Sequence, residues 1–497
     1  MPSQPLRYIR HTNSPPSDFQ PARRDIETAL SAEVKHVQDH VSKIRKTGSV
    51  YVGITGAALM AQHLANAQLE RLAGLSPAEL LPFADFRLTH ALSFSPTSLS
   101  NPSAGSHSSF LETAVGIATL ILMRAIEHVI ATGSVSTSTF NDSWSACIQL
   151  LTSAASMTLS EDRRQDDGDD SGCEVLYGRA GLLYALLRLR SLTKREDINA
   201  ADAETAELLS KIRAICSEYQ LQLLAQSIII RGQRGAAMYQ QDMAGTAYPT
   251  PPLMWSWHGK RYLGAAHGLA GILHMLLLCP EDVILPYMDS ILLTVEWLIG
   301  CQDIEGNWPA AAPTGHPTGT TKELVQWCHG ATGVILLLCT VLRCATTNSA
   351  TPLLGKVIGA VQAGASLVYR HGLLSKGVGL CHGVGGSVFA LLAVSDLLDP
   401  ARKAIKTKTN AIPSKETNYY LSRAVHLAQL ATTHESYVAR GDMRVPDHPW
   451  SLYEGMAGMC CAWAEVLRRL TLPEGRPCER SYMPGFDDVN GDTWASW

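Results

Sequence analysis

This 497-residue chain lacks an excess of charge of either sign: 41 Lys and Arg stand against 45 Asp and Glu, a formal net charge of −4. Nucleic-acid binders carry a basic face, so nucleic acid is not an expected partner. The most apolar windows are interrupted. VGIATLILMRAIEHVIATG carries Arg124 and Glu127, which argues against a membrane span. The opening MPSQPLRYIRHTNSPPSDFQ has no apolar signal core, and Pro2 stands where myristoylation requires glycine. A cytoplasmic chain with no transmembrane segment is expected, with peripheral membrane association left open.

Cysteine is at ordinary density, without enrichment. There are 12, and Cys339, Cys344, Cys460 and Cys461 lie inside apolar helical runs. That placement suits small buried hydrophobes and excludes a disulfide framework. Strand signals are nearly absent, which points to an all-α fold.

What the chain does have is a repeat. Gly-x-x-Gly followed at once by an apolar run occurs at Gly53/Gly56, Gly178/Gly181, Gly268/Gly271, Gly330/Gly333, Gly383/Gly386 and Gly455/Gly458. A seventh copy, ETAVGIATLILM, keeps Gly116 and carries Thr113 in place of the first glycine. Successive second glycines are 53 to 90 residues apart, room for two helices each. The runs after the glycines are apolar nearly all round, and the segments between them are amphipathic: Leu354, Val357, Ile358, Val361, Ala365 and Val368 share one face. Seven buried helices alternating with seven amphipathic ones predict an α/α toroid, a double ring in which 1–497 is one domain. Residues 1–25 are set apart as an N-terminal extension. Stretches near 92–109, 160–172 and 402–416, together with the Pro-rich 249–252, read as solvated loop insertions.

A ring would gather the residues before each first glycine around one mouth: Val52, Glu112, Tyr177, His267, His329, His382 and Glu454. One position earlier stand Cys328 and Cys381. Thiolate and imidazole are zinc ligands, and three protein ligands with one open position mark a catalytic site. Cys328, Cys381 and His382 supply such a set. His329 stays unassigned: it replaces His382, closes the site, or donates from behind it. A lone Cys-His at a helix start is usually packing; two copies at equivalent positions favour the metal. His267 reads either as a general acid or base or as a histidine hydrogen-bonded at its helix start. Glu174 reads either as a carboxylate facing the mouth or as an exposed glutamate.

The stretches LYGRAGLLYALL, WSWHGKRYLGAAHGLAGI, WCHGATGV, GLLSKGVGLCHG, RVPDHPWSLYEGMAG and PGFDDV together make the chain resemble eukaryotic LanC-like proteins, relatives of the bacterial lanthionine cyclases. The resemblance implies an α/α toroid with one Zn2+ per chain, held by Cys328, Cys381 and His382, and a thiol in the fourth position. It implies addition of that thiol to dehydroalanine or dehydrobutyrine in proteins or peptides, giving a thioether, with His267 as the catalytic histidine and Glu174 near the place of a catalytic aspartate. For the eukaryotic branch the thiol is glutathione. Lys376 and the segment Arg444, Val445, Pro446 and Asp447 match its contacts, with Arg7 or Arg10 as an N-terminal arginine. The alternatives are a peptide cyclase using the substrate's own cysteine and a non-catalytic glutathione- and zinc-binding signalling protein.

Overall fold

The computed structural model describes residues 6–41, 48–94, 107–163, 172–194, 198, 200–314, 324–345, 352–400, 417–471 and 480–489. Among these the regular structure is helical, and pairing of extended backbone is limited to the isolated bridges Tyr8 to Leu374, Trp257 to Lys260 and Tyr262 to Ala311.

Helices alternate between two rings. The inner ring comprises α2 (Ile54–Ala65), α4 (Ala114–Thr132), α6 (Arg179–Thr193), α9 (Leu269–Leu277), α12 (Ala331–Cys344), α14 (Val384–Leu398) and α17 (Met456–Thr471). The outer ring comprises α1 (Gln20–His40), α3 (Pro77–Phe94), α5 (Trp144–Arg163), the pair α7 (Ala203–Ile215) and α8 (Glu218–Asp242), α11 (Met288–Gly300) after the short α10 (Glu281–Ile284), α13 (Pro352–His371), and α15 (Tyr419–Ala431) with the short α16 (His434–Ala439). Each inner helix packs on its two inner neighbours, and α17 packs back onto α2. The architecture is the all-α toroid the sequence predicts.

The repeated glycine has a steric cause. At Gly56, Gly116, Gly181, Gly271, Gly333, Gly386 and Gly458, a Cβ would fall less than 3.0 Å from the carbonyl oxygen six residues earlier. The turn folds its own backbone onto the first turn of the helix it starts, and only glycine leaves room. The first glycine is crowded too: a Cβ at Gly178, Gly268, Gly330, Gly383 or Gly455 would fall less than 3.0 Å from backbone atoms. In the second unit Thr113 replaces it and caps the helix, its Oγ1 accepting from Val115 N–H at 3.3 Å, as threonine does at N-caps.

Backbone hydrogen bonds stitch the seven turns into a closed circle. Val50 N–H donates to Leu111, Ser108 N–H to Tyr177, Val175 N–H to Ala266, Ala265 N–H to Trp327, Trp327 N–H to Cys381 and Cys381 N–H to Tyr453. Tyr453 N–H then donates to the Tyr51 carbonyl at 3.1 Å and closes the ring.

Below the turns, the C-terminal segment 480–489 fills the axis. Phe486 stacks on His274 at 4.3 Å and meets Trp327 edge-on. Asp487 pairs with Arg343 at 2.8 Å and Arg480 at 3.1 Å, while Asp488 accepts from the Tyr184 hydroxyl at 2.7 Å. The ring is therefore a packed core that is open at its turn end.

Several boundaries differ from the sequence expectation. The segment set apart as an extension enters the outer ring at Gln20, because the apolar spacing of Ala22, Ile26 and Leu30 already belongs to α1. The expected insertion near 92–109 is helical through Phe94, and Ser108 and Ser109 are buried turn residues; 95–106 lie outside the described residues. The 160–172 stretch is helical through Arg163, with 164–171 outside the described residues, as is all of 402–416.

The window around Arg124 and Glu127 is one continuous 19-residue helix. By length and composition it is sufficient to cross a membrane, as are Glu281–Gly300 and Pro352–His371. The charges do not interrupt it because Arg124 is neutralised by Asp85 at 2.7 Å and Glu127 at 2.6 Å. Cys339, Cys344, Cys460 and Cys461 are buried in inner helices, as their surroundings in the sequence suggest.

Candidate functional site

The fifth and sixth turns bring Cys328, Cys381 and His382 together, with one donor atom of each within 4.8 Å of the other two. Cys381 and His382 are buried and Cys328 half-buried. Burial and the neighbouring Cys328 thiol push the Cys381 thiol well above its usual range, against the opposing pull of His382. Two crowded thiols in a buried place become thiolates only beside a cation, and two sulfurs with one imidazole form a soft donor set. The residues fit zinc.

His329 lies outside that group, and the backbone gives the reason. Gly330 has φ +97°, in the region that favours glycine, whereas the equivalent Gly383 has φ −127°. The two Cys-His-Gly copies thus turn their histidines differently. The His329 ring faces Tyr262, 5.3 Å away between centroids. Burial, with the nearby His267 and Lys376, brings its pKa down to about 4, so it is a neutral imidazole at physiological pH.

His267 stands on the fourth turn. Its Nδ1 is 3.2 Å from Glu174 Oε2, and the two side chains are 14% and 1% exposed. The alternative of an exposed Glu174 is therefore excluded. Its carboxylate also accepts from the N–H groups of Leu176 at 2.6 Å and Tyr177 at 2.8 Å. A carboxylate so engaged is placed to accept the Nδ1 proton, which leaves Nε2 as the unprotonated ring nitrogen.

Three further segments meet at the mouth. Arg444 N–H donates to the Ser375 carbonyl at 2.8 Å, and Ser375 N–H donates to the Arg7 carbonyl at 3.0 Å. Lys376, Arg444, Val445 and Asp447 are exposed there, with Pro446 half-buried. Pro446 packs on Gly377, where a Cβ would meet its Cγ at 2.7 Å. The antiparallel register sets Arg7 opposite Ser375, the residue before Lys376, and Arg10 opposite Gly372.

Two neighbours escaped the sequence reading. Trp257 stacks on His267 at 3.8 Å and 12°, carried by a two-residue hairpin whose His258 and Gly259 have φ +47° and +70°, the geometry of a type I′ turn. The other is Tyr51, which reaches the Cys381 thiol from the first turn; burial, Cys381, Cys328 and Glu454 all raise its pKa. Its signal was available: like Cys328 and Cys381, it stands two residues before the first glycine of its unit.

Comparison with known proteins agrees with this architecture. The description "Lanthionine synthetase C-like protein" matches residues 130–471. The chain belongs to this family. Family members resembling it include a Danio rerio protein named glutathione S-transferase LANCL1, 29% identical over 300 residues, covering 59% of this chain and 59% of the relative. LanC-like protein GCL1 of Arabidopsis thaliana is 29% identical over 320 residues, covering 63% and 60%. The chain thus spans about 60% of the length of these curated relatives. Among solved structures, nisin cyclase superposes with a TM-score of 0.52 at 14% identity, covering 89% of this chain and 94% of its own. That likeness concerns the family fold alone.

Proposed function

We propose that this LanC-like chain is a zinc enzyme that adds the glutathione thiol to dehydroalanine or dehydrobutyrine residues of proteins or peptides. The observation that carries the reading is the convergence of Cys328, Cys381 and His382 within 4.8 Å, around the mouth that also bears His267. The name of the Danio rerio relative, a glutathione S-transferase, supports the thiol assignment.

Cys328, Cys381 and His382 would hold the zinc, which when bound lowers the pKa of a thiol at the remaining position. Lys376, Arg444 and Arg7 supply cationic groups for the two carboxylates of glutathione. His267 Nε2, bare while Nδ1 is held by Glu174, accepts the thiol proton. The thiolate sulfur then bonds to the β-carbon of the dehydro residue, and the π-electron pair moves to the α-carbon and its carbonyl. Nε2 returns the proton to the α-carbon, completing a thioether with no other reactant. Trp257, stacked on the imidazole, fixes its plane during both transfers.

The test is mass spectrometry of a dehydroalanine peptide incubated with the zinc-loaded chain and glutathione, with His267→Ala alongside. A glutathione adduct that depends on the enzyme and falls with His267→Ala is expected. Tight glutathione binding without any adduct would replace this reading with that of a binding protein.

A further inference from the structure

The outer helix α1 buries Ala22, Ile26, Leu30, Val34 and Val37, and among them Glu33, which is 7% exposed. A carboxylate on an otherwise apolar face costs several kcal/mol unless a cation or donors compensate it. Among the described residues no Lys or Arg pairs with Glu33. Its neighbours are His36 Nδ1, 3.3 Å from Oε2, and His434 Nε2, 4.0 Å from Oε1. His434 buries its Nδ1 without a hydrogen-bond partner. Glu435 adds a second carboxylate, and one donor atom from each of Glu33, His434 and Glu435 lies within 4.8 Å of the other two. His434 and Glu435 also border a cavity of about 420 Å³, shared with Arg444, Pro446 and Trp450, which gives water access to this cluster.

We propose that Glu33, His434 and Glu435 form a second divalent-cation site, independent of the Cys328, Cys381 and His382 group. Two carboxylates and one imidazole are harder donors than the thiolate set and suit a first-row cation such as zinc or manganese, with water in the remaining positions. His36 holds the second oxygen of Glu33 and so orients the ligand. The cation would join α1, at the start of the ring, to the α15–α16 corner that precedes its last inner helix. It would tie the seam where the toroid closes and brace the segment that runs on to Arg444.

The full chain is dialysed against micromolar free zinc and its metal counted by mass spectrometry, with thermal unfolding measured in parallel. Two zinc ions per chain are expected in the wild type, one in Glu435→Gln and Glu33→Gln, and one in Cys381→Ala. The zinc-induced rise in Tm of Cys381→Ala should vanish when Glu435→Gln is added. Glu435 is exposed, so its replacement spares the fold. Zinc content unchanged from the wild type in both glutamate variants, whether one ion or two, overturns the proposal. Loss of a zinc in Glu435→Gln but not in Cys381→Ala would uphold it while removing the thiolate site.

Discussion

His267 Nδ1 lies 3.2 Å from Glu174 Oε2, and that carboxylate is anchored by the N–H groups of Leu176 and Tyr177. The glutamate of the third turn thus orients the histidine of the fourth. Glu174→Gln is expected to lower kcat by about 10- to 100-fold, with KM for glutathione unchanged. His267→Ala should cost about 100- to 10,000-fold. Steady-state kinetics on both variants measures this, and a purely structural role would lower Tm together with kcat.

The proposed zinc ligands, Cys328, Cys381 and His382, are tested by metal content. Cys381→Ala should lose the thiolate-bound zinc and all thioether formation. His329→Ala, on the turn whose Gly330 has φ +97°, should keep that zinc. Spectra of the cobalt-substituted chain, which report sulfur ligation, separate the two outcomes.

Glutathione affinity should follow Lys376 and Arg444. Each is exposed, so replacement by alanine should weaken binding by about 10-fold, the scale of one charge-assisted contact. The wild-type affinity should fall as salt rises. Calorimetric titration at two ionic strengths tests both effects.

The glycine turns should not tolerate a methyl group. Gly271→Ala drives a Cβ into the Ala265 carbonyl and is expected to destabilise the chain by about 3 kcal/mol. Gly359, on α13, has open space around its Cβ position. Gly359→Ala should therefore stabilise by about 0.5–1 kcal/mol. Chemical denaturation compares the pair.

Acid stability should depend on His274. Burial holds its imidazole down to about 4 against an ordinary 6.5. Between those values the unfolded chain binds a proton that the native chain refuses. Its contribution is complete above 6.5 and is lost as pH falls to about 4, roughly 3 kcal/mol in all. His274→Gln should flatten that part of the stability-against-pH curve, measured by denaturation from pH 7 to about pH 4.

Much of this was legible in the chain itself. The seven turns could be found because each second glycine answers a local demand, clearance for a carbonyl six residues away. The cluster of Cys328, Cys381 and His382 was legible because two Cys-His-Gly copies stand at equivalent places. His329 was not resolved, because its direction depends on the backbone torsion of Gly330 rather than on residue type. Glu174 was left open between exposed and buried, because its burial comes from the neighbouring fourth turn. Trp257 and the axial role of the PGFDDV segment were missed because their partners are contributed by several distant units.

The sequence by itself determined an all-helical chain of seven glycine-started units with thiol and imidazole donors at matched positions, since helix periodicity, glycine clearance and donor chemistry are local properties. Only the tertiary structure decided which donors meet. Ring closure through Tyr453 and Tyr51 sets seven turns side by side, and it is this non-local packing that brings Tyr51 to Cys381, Arg7 to Ser375, and Glu33 to His434.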